Sequence, residues 1–245
     1  MRLDLDPHLA RRAAQSLGQS DARIYAAAVS ALERRHARGA VVDVGCGSGR
    51  LKGFLGSLAA SYVGVDALRY DSFPPDATFV EADLNRQPIP LPDAQADVTA
   101  SVETIEHLEN PRAFCRELVR ITRPGGWVVV TTPNQRSVVS LGALLLKEHF
   151  SAFRDTNYPA HQTALLDTDL RRIALENSLS DVAIEFSSAG RVPLTAAQYP
   201  GVLARMFPRA LSDNVLLLAR KPGGPRCGLA VSASRTSSGD RKPRC

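Results

Sequence analysis

The chain has 245 residues, 44% of them hydrophobic and 22% charged. That balance excludes a mostly disordered chain, and the length suits one large domain, or a domain with a tail, able to bury a core without disulfides. The formal net charge of +5 lies wholly at the C-terminus: Lys221–Cys245 hold six basic residues and one acid, while residues 1–220 hold 24 of each. The pI therefore says little about the folded part, and no basic stripe marks it as a nucleic-acid binder. The four cysteines, at positions 46, 115, 227 and 245, have no CxxC spacing, which disfavours a zinc or redox motif and fits a reducing compartment. Met1–Pro7 lacks the apolar region of a signal peptide. The longest apolar-looking run, Val138–Leu146, has nine residues, against the roughly 20 that a spanning helix needs. A cytoplasmic protein with no membrane span is expected.

Good helix formers fill residues 8–38, with Ser20-Asp21 placed to cap a helix running to about Ala37, and Gly39 ending it. Residues 1–38 are read as an N-terminal helical cap and 39–221 as the main domain. Val41–Val44 is a short β-branched strand that breaks into Gly45-Cys46-Gly47-Ser48-Gly49, and a helix with Leu51, Phe54, Leu55 and Leu58 follows. Tyr62–Val65, Thr78–Val80 and Asp97–Val102 read as the next strands. Asn110-Pro111 is a helix start, with Asn as N-cap and Pro in the first turn. Pro124-Gly125-Gly126 is a turn before a buried strand, Trp127–Thr131. The alternation of strand and helix over 40–132 predicts a parallel α/β sheet. Further on, Val138–Lys147 and Asp167–Asn177 are predicted helices, and Val182–Phe186 and Asn214–Ala219 predicted strands. Residues 148–165 form a long segment of the kind that often carries function. Residues 222–245, rich in Pro, Gly, Ser and Arg, are expected to be a disordered basic tail.

Asp43-Val44-Gly45-Cys46-Gly47-Ser48-Gly49 lies between a strand and a helix. Glycines there allow a sharp turn and the close approach of a ligand, and the helix start offers free N–H groups. A dinucleotide fingerprint would read G-x-G-x-x-G, whereas these glycines run G-x-G-x-G. This spacing after the first strand resembles motif I of the class I S-adenosylmethionine-dependent methyltransferases. Three further positions agree in order: Asp66 ending the second strand, Asp83-Leu84 ending the third, and Pro124-Gly125-Gly126 before the fifth. Chemically, a carboxylate such as Asp66 suits two ribose hydroxyls, because two donors want a two-oxygen acceptor. The resemblance, which covers residues 40 to about 220, implies a doubly wound, Rossmann-like, seven-stranded, mostly parallel sheet whose last strand is antiparallel. It also implies S-adenosylmethionine as cofactor, held by Asp43, Gly45, Cys46, Gly47, Gly49, Asp66, Asp83 and Leu84, with Asp83 meeting the adenine amino group.

The acceptor must be sought elsewhere. At helical spacing Glu103, Glu106 and His107 share a face bordering the crevice, where they can hold a divalent cation or His107 can take a hydroxyl proton. This segment resembles that of the ubiquinone-pathway O-methyltransferases, whose Glu-x-x-Glu-His group is associated with metal, and that of the small-RNA 2′-O-methyltransferases. Many methyltransferases of unrelated substrate carry a similar Glu-His pair, so His107 and Glu106 are the catalytic candidates and no metal site is assigned. The segment Asn157–His161 resembles a loop of bacterial methyltransferases of small molecules or glycans. It makes His161 a candidate on the acceptor, with His149 as the other histidine, and Asn134, in Thr131–Asn134, a candidate donor. The reading is transfer of a methyl group to a hydroxyl of a small molecule or glycan. The alternatives are a metal-dependent RNA 2′-O-methyltransferase, which the missing Trp-Thr-Arg segment and neutral core disfavour, and a non-catalytic cofactor-binding protein.

Overall fold

The computed structural model describes residues 18–223 except 87, 194 and 196, so the expectations for residues 1–17 and for the basic tail from 224 lie outside the described residues. The first helix, α1 (Ala22–Glu33), begins where Asp21 accepts a hydrogen bond from the Arg23 N–H, as its cap chemistry predicts. It closes at Glu33 rather than near Ala37. His36 adopts a left-handed φ of 52°, and the Ala37 N–H reaches back to the Leu32 carbonyl. Gly39 then opens a strand instead of ending the helix.

The strands are β1 (Gly39–Val44), β2 (Ala59–Asp66), β3 (Thr78–Glu81), β4 (Ala96–Val102), β5 (Thr122–Pro133), β6 (Ser180–Phe186) and β7 (Asn214–Arg220). They form one seven-stranded sheet in the order β3-β2-β1-β4-β5-β7-β6, parallel except for β7, which runs antiparallel to both neighbours. The expected Pro124–Gly126 turn is a bulge inside β5. Its pairing with β4 jumps from Ala96–Thr122 to Val98–Trp127, and the loop-out is clamped to the C-terminal end of β7 by hydrogen bonds between Gly125 or Gly126 and Lys221.

Side chains of period two separate into two cores. Val42, Val44, Val65, Val215 and Leu217 face one side, where α3 (Pro111–Ile121) and α5 (Asp167–Glu176) bury Phe114, Leu118, Leu170 and Ile173. Val41, Val98, Val129, Leu216 and Leu218 face the other, under α1 and the short α2 (Leu51–Leu55). Helix α4 (Val138–Lys147) covers little: Leu145 and Leu146 are 83% and 84% exposed. Two short helices, α6 (Gly201–Met206) and α7 (Pro208–Leu211), precede β7. With β2 on one flank of β1 and β4 on the other, the chain reverses its winding between β1 and β4, which leaves a crevice beyond their C-terminal ends. No helix among the described residues is long and apolar enough to cross a membrane.

Candidate active site

The crevice holds a cavity of about 400 Å³, within the range of small-molecule sites. Gly45, Cys46 and Gly47 line one wall. Gly45 and Gly47 have φ of +79° and +50°, and a Cβ on either would lie 2.2 Å from Thr104 Oγ1 or 2.3 Å from the Gly18 carbonyl oxygen. Only glycine fits this loop, which is squeezed between the turn after β4 and the segment before α1. The loop's own N–H groups are engaged. Gly45 and Cys46 donate to the Val65 carbonyl, Gly47 to Asp66 Oδ2 at 2.7 Å, Ser48 to Gly18 and Gly49 to Cys46. The loop residues 45–49 therefore do not cradle a pyrophosphate.

The charge of the cavity agrees. Among the described residues no Lys or Arg lines it, while Asp21, Asp66, Glu103 and Glu106 do. Asp66 sits at the end of β2 with its two oxygens accepting from the Gly47 and Ala67 N–H groups, each at 2.7 Å. Burial pushes its pKa up against the pull of those N–H bonds. Leu84 lines the cavity as expected, but Asp83 does not. Its Oδ1 accepts the Asn85 N–H at 3.0 Å, and Asn85 lines the wall instead. Asp43 and Gly49 also lie off the wall. Asp43 is buried, accepts the Tyr62 hydroxyl at 2.6 Å and is pushed up by burial to about 7. The sequence reading missed Gly18, Gln19 and Ser20, which line the cavity; Ser20-Asp21 carried the only signal there, as a helix cap.

Glu103, Glu106 and His107 do not share a helix face. Glu103 turns left-handed at φ 51°, and only a 3₁₀ turn, Ile105–His107, follows. The cause is the end of β4: the Glu103 N–H is drawn to Thr131 Oγ1 on β5, which breaks any helical run before it starts. Glu103 points to β5 and β7, accepting from Thr131 Oγ1 at 2.8 Å and Asn214 Nδ2 at 2.7 Å. Glu106 is fully buried; its Oε2 accepts from Thr132 Oγ1 at 3.1 Å and its Oε1 has no hydrogen-bond partner among the described residues. Burial pushes Glu106 up to about 8 and, with the Glu106 charge beside it, holds Glu103 well above the carboxylate range.

His161 takes the place beside His107 that the helix reading gave to Glu103. The two rings meet edge to face with centroids 4.8 Å apart. Nδ1 of His107 lies 2.8 Å from the Ala160 carbonyl and Nδ1 of His161 2.6 Å from that of Ala152. A carbonyl only accepts, so each Nδ1 carries hydrogen and Nε2 is the nitrogen left to exchange a proton. Burial, reinforced by His107, lowers His161 to about 4, so it is a neutral acceptor at physiological pH. One ligand atom from each of Glu106, His107 and His161 falls within 4.8 Å of the others, a grouping that can hold a divalent cation. His149 lies on neither cavity wall and bonds the Phe150 carbonyl. Asn134 is also outside. Its Nδ2 donates to the Arg209 and Ser212 carbonyls and its Oδ1 accepts the Arg136 N–H, so the proposed donor to an acceptor is occupied in holding α7 to the end of β5. A second cavity of about 400 Å³ adjoins the first through shared walls of Asp21, Ile24, Glu103, Asn157 and His161.

The model of a methyltransferase domain matches residues 42–130, from β1 through most of β5. A ubiquinone biosynthesis O-methyltransferase of Maricaulis maris is 31% identical over 75% of this chain and 72% of its own length. The chain belongs to the S-adenosylmethionine-dependent methyltransferases. A probable S-adenosylmethionine-dependent methyltransferase of Mycolicibacterium smegmatis is 29% identical over 83% of this chain and 74% of its own length. The match to a similarly described Mycobacterium tuberculosis protein, at 31% identity, spans half of that protein. A crystal structure of such an enzyme from Archaeoglobus fulgidus, 18% identical, shares the fold with a TM-score of 0.55 over 88% of this chain and all of its own. The methyltransferase cavity fits this cofactor on its own chemistry. No Lys or Arg lines it among the described residues, its loop N–H groups are engaged, and the Asp66 carboxylate lies on its wall, which suits a phosphate-free nucleoside cofactor carrying a sulfonium.

Proposed function

We propose that the enzyme methylates a hydroxyl oxygen of a small-molecule acceptor, with His107 as the base. The observation that carries this reading is the His107–His161 pair, each Nδ1 facing a carbonyl oxygen, on the wall of the first cavity, with His161 also on the wall shared with the second. Bound S-adenosylmethionine supplies an electrophilic methyl group. The protein's part is to align the acceptor oxygen with it, keep water out and receive the hydroxyl proton. The Ala160 carbonyl stabilises His107 once its Nε2 is protonated. Similarity to proteins named O-methyltransferases supports oxygen as the acceptor atom. In this reading Gly45, Cys46, Gly47, Asp66 and Leu84 form the cofactor wall, and Asp43, Asp83 and Gly49 shape it from behind.

A metal-assisted reading rests on the grouping of Glu106, His107 and His161. Against a four-ligand version stands Glu103, whose oxygens are already engaged by Thr131 and Asn214. Release of S-adenosylhomocysteine across a panel of phenols, sugars and RNA, with and without chelator, tests both. We expect turnover on phenols that survives chelation, and a His107→Ala rate lower by about 10²–10⁴-fold. Turnover abolished by chelator and restored by Mg²⁺ or Zn²⁺ establishes the metal reading instead. An unchanged rate in His107→Ala removes His107 from the chemistry.

A further inference from the structure

The two adjoining cavities differ in their cations. Among the described residues no Lys or Arg lines the first, whereas Arg23, Arg154 and Arg191 line the second, together with Asp21, Glu103 and Asp213. Two of those guanidiniums are matched. Arg23 forks onto Asp21, with Nε at 2.9 Å and Nη2 at 2.5 Å. Arg191 lies 3.4 Å from Asp213. The remaining acid of that wall, Glu103, faces the Thr131 hydroxyl and the Asn214 amide. Arg154 has no carboxylate within ion-pair reach among the described residues.

Nor is Arg154 on a loose loop. The Ala152 carbonyl, two residues earlier, accepts both from Asn157 Nδ2 at 2.8 Å and from His161 Nδ1, and the Asn157 N–H closes onto the Arg154 carbonyl at 2.8 Å. The segment carrying Arg154 is thereby tied to the histidine at the wall between the cavities. Arg154 is exposed, and an unmatched guanidinium carried on a backbone segment tied to His161 is a recognition element for a planar oxyanion.

We propose that the second cavity is the acceptor chamber and that Arg154 selects acceptors bearing a carboxylate-type oxyanion. This rests on the methyl-transfer reading of the adjoining site and narrows its substrate class. The first cavity offers such a group no cation among the described residues, so the acceptor is oriented with its anionic end towards Arg154 and its hydroxyl towards His161 on the shared wall, with His107 beside it.

The test is calorimetric titration of the full chain, saturated with S-adenosylhomocysteine, with catechol, 3,4-dihydroxybenzoate and phenyl phosphate. The benzoate is expected to bind at least about tenfold more tightly than catechol, the worth of one charge-assisted bond. Arg154→Ala should bring the two within about twofold while leaving catechol affinity and the melting temperature unchanged, and Arg154→Lys should retain part of the preference. Phenyl phosphate outranking the benzoate replaces carboxylate by phosphate as the selected group and overturns the proposal as stated. Equal affinities for catechol and the benzoate, absence of benzoate binding, or an equal loss for both in Arg154→Ala also overturn it. Turnover of the same probes separates the two readings. Tight benzoate binding without methyl transfer counts against O-methylation and leaves the chamber standing, whereas methylation of both without preference does the reverse.

Discussion

At the scale of single residues, the glycine loop is where sequence and structure agree most closely, since sterics alone dictate it. Gly47 has both a left-handed φ and a backbone oxygen where its Cβ would be. Gly47→Val is expected to abolish S-adenosylhomocysteine binding, and Asp66→Ala to weaken it at least tenfold; calorimetry checks both, with wild-type affinity in either variant removing that residue from the site. The histidines are a harder case. His161 was legible as a candidate only through the segment around it, and its neighbour His107 through a helical spacing that does not exist. Five residues cannot distinguish a helix turn from a strand end followed by a left-handed residue, because the hydrogen bond from Glu103 to Thr131 that decides it is long-range. The pair makes a pH prediction. His161 titrates near 4 when folded and near its ordinary value of about 6.5 when unfolded. The unfolded chain therefore binds more protons between those values, so stability present above pH 6.5 is lost as pH falls through 4. Ring NMR should place His161 near 4, and His107→Ala should move it upward, chiefly by opening the buried site to water. A value near 6.5 in the parent protein contradicts the buried geometry.

At the scale of elements, β7 read directly because a strand buried on both faces appears as a continuous apolar run, here Val215–Ala219. The C-terminal limit of α1 did not, since Arg34 and Arg35 are good helix formers and the closure comes from His36 in a conformation no side-chain pattern announces. The start of α1 was clear, and it serves twice: Asp21 caps the helix and lines both cavities. Asp21→Ala should cost about 1 kcal/mol of stability in denaturant titration. Asp21→Asn keeps an N-cap acceptor and should cost a few tenths at most, so a comparable loss in both variants would place the effect in the Arg23 ion pair instead. Helix α4 was predicted within its observed limits, yet its apolar residues do not mark a core. Composition identifies a helix here without telling which side is covered. Leu145→Lys should accordingly change stability by no more than about 0.5 kcal/mol. Leu118→Ala, at a fully buried site on α3, should cost about 2–5 kcal/mol. Thermal melts of the two variants, measured side by side, check that contrast.

At the scale of the whole molecule, the position of β7 governs how the sheet can be completed. It lies between β5 and β6, and every residue but Arg220 is buried. Synthesis from the N-terminus delivers β1 to β5 and their helices long before it. Until residue 220 has been made, the apolar run Val128–Val130 of β5 stands at an open edge, and β6 has no strand to pair with. A nascent chain is thus a half-sheet with a hydrophobic margin, the sort of edge that recruits other chains. Among the described strands the one made last is an interior one, so the margin stays open until the chain has been read through residue 220.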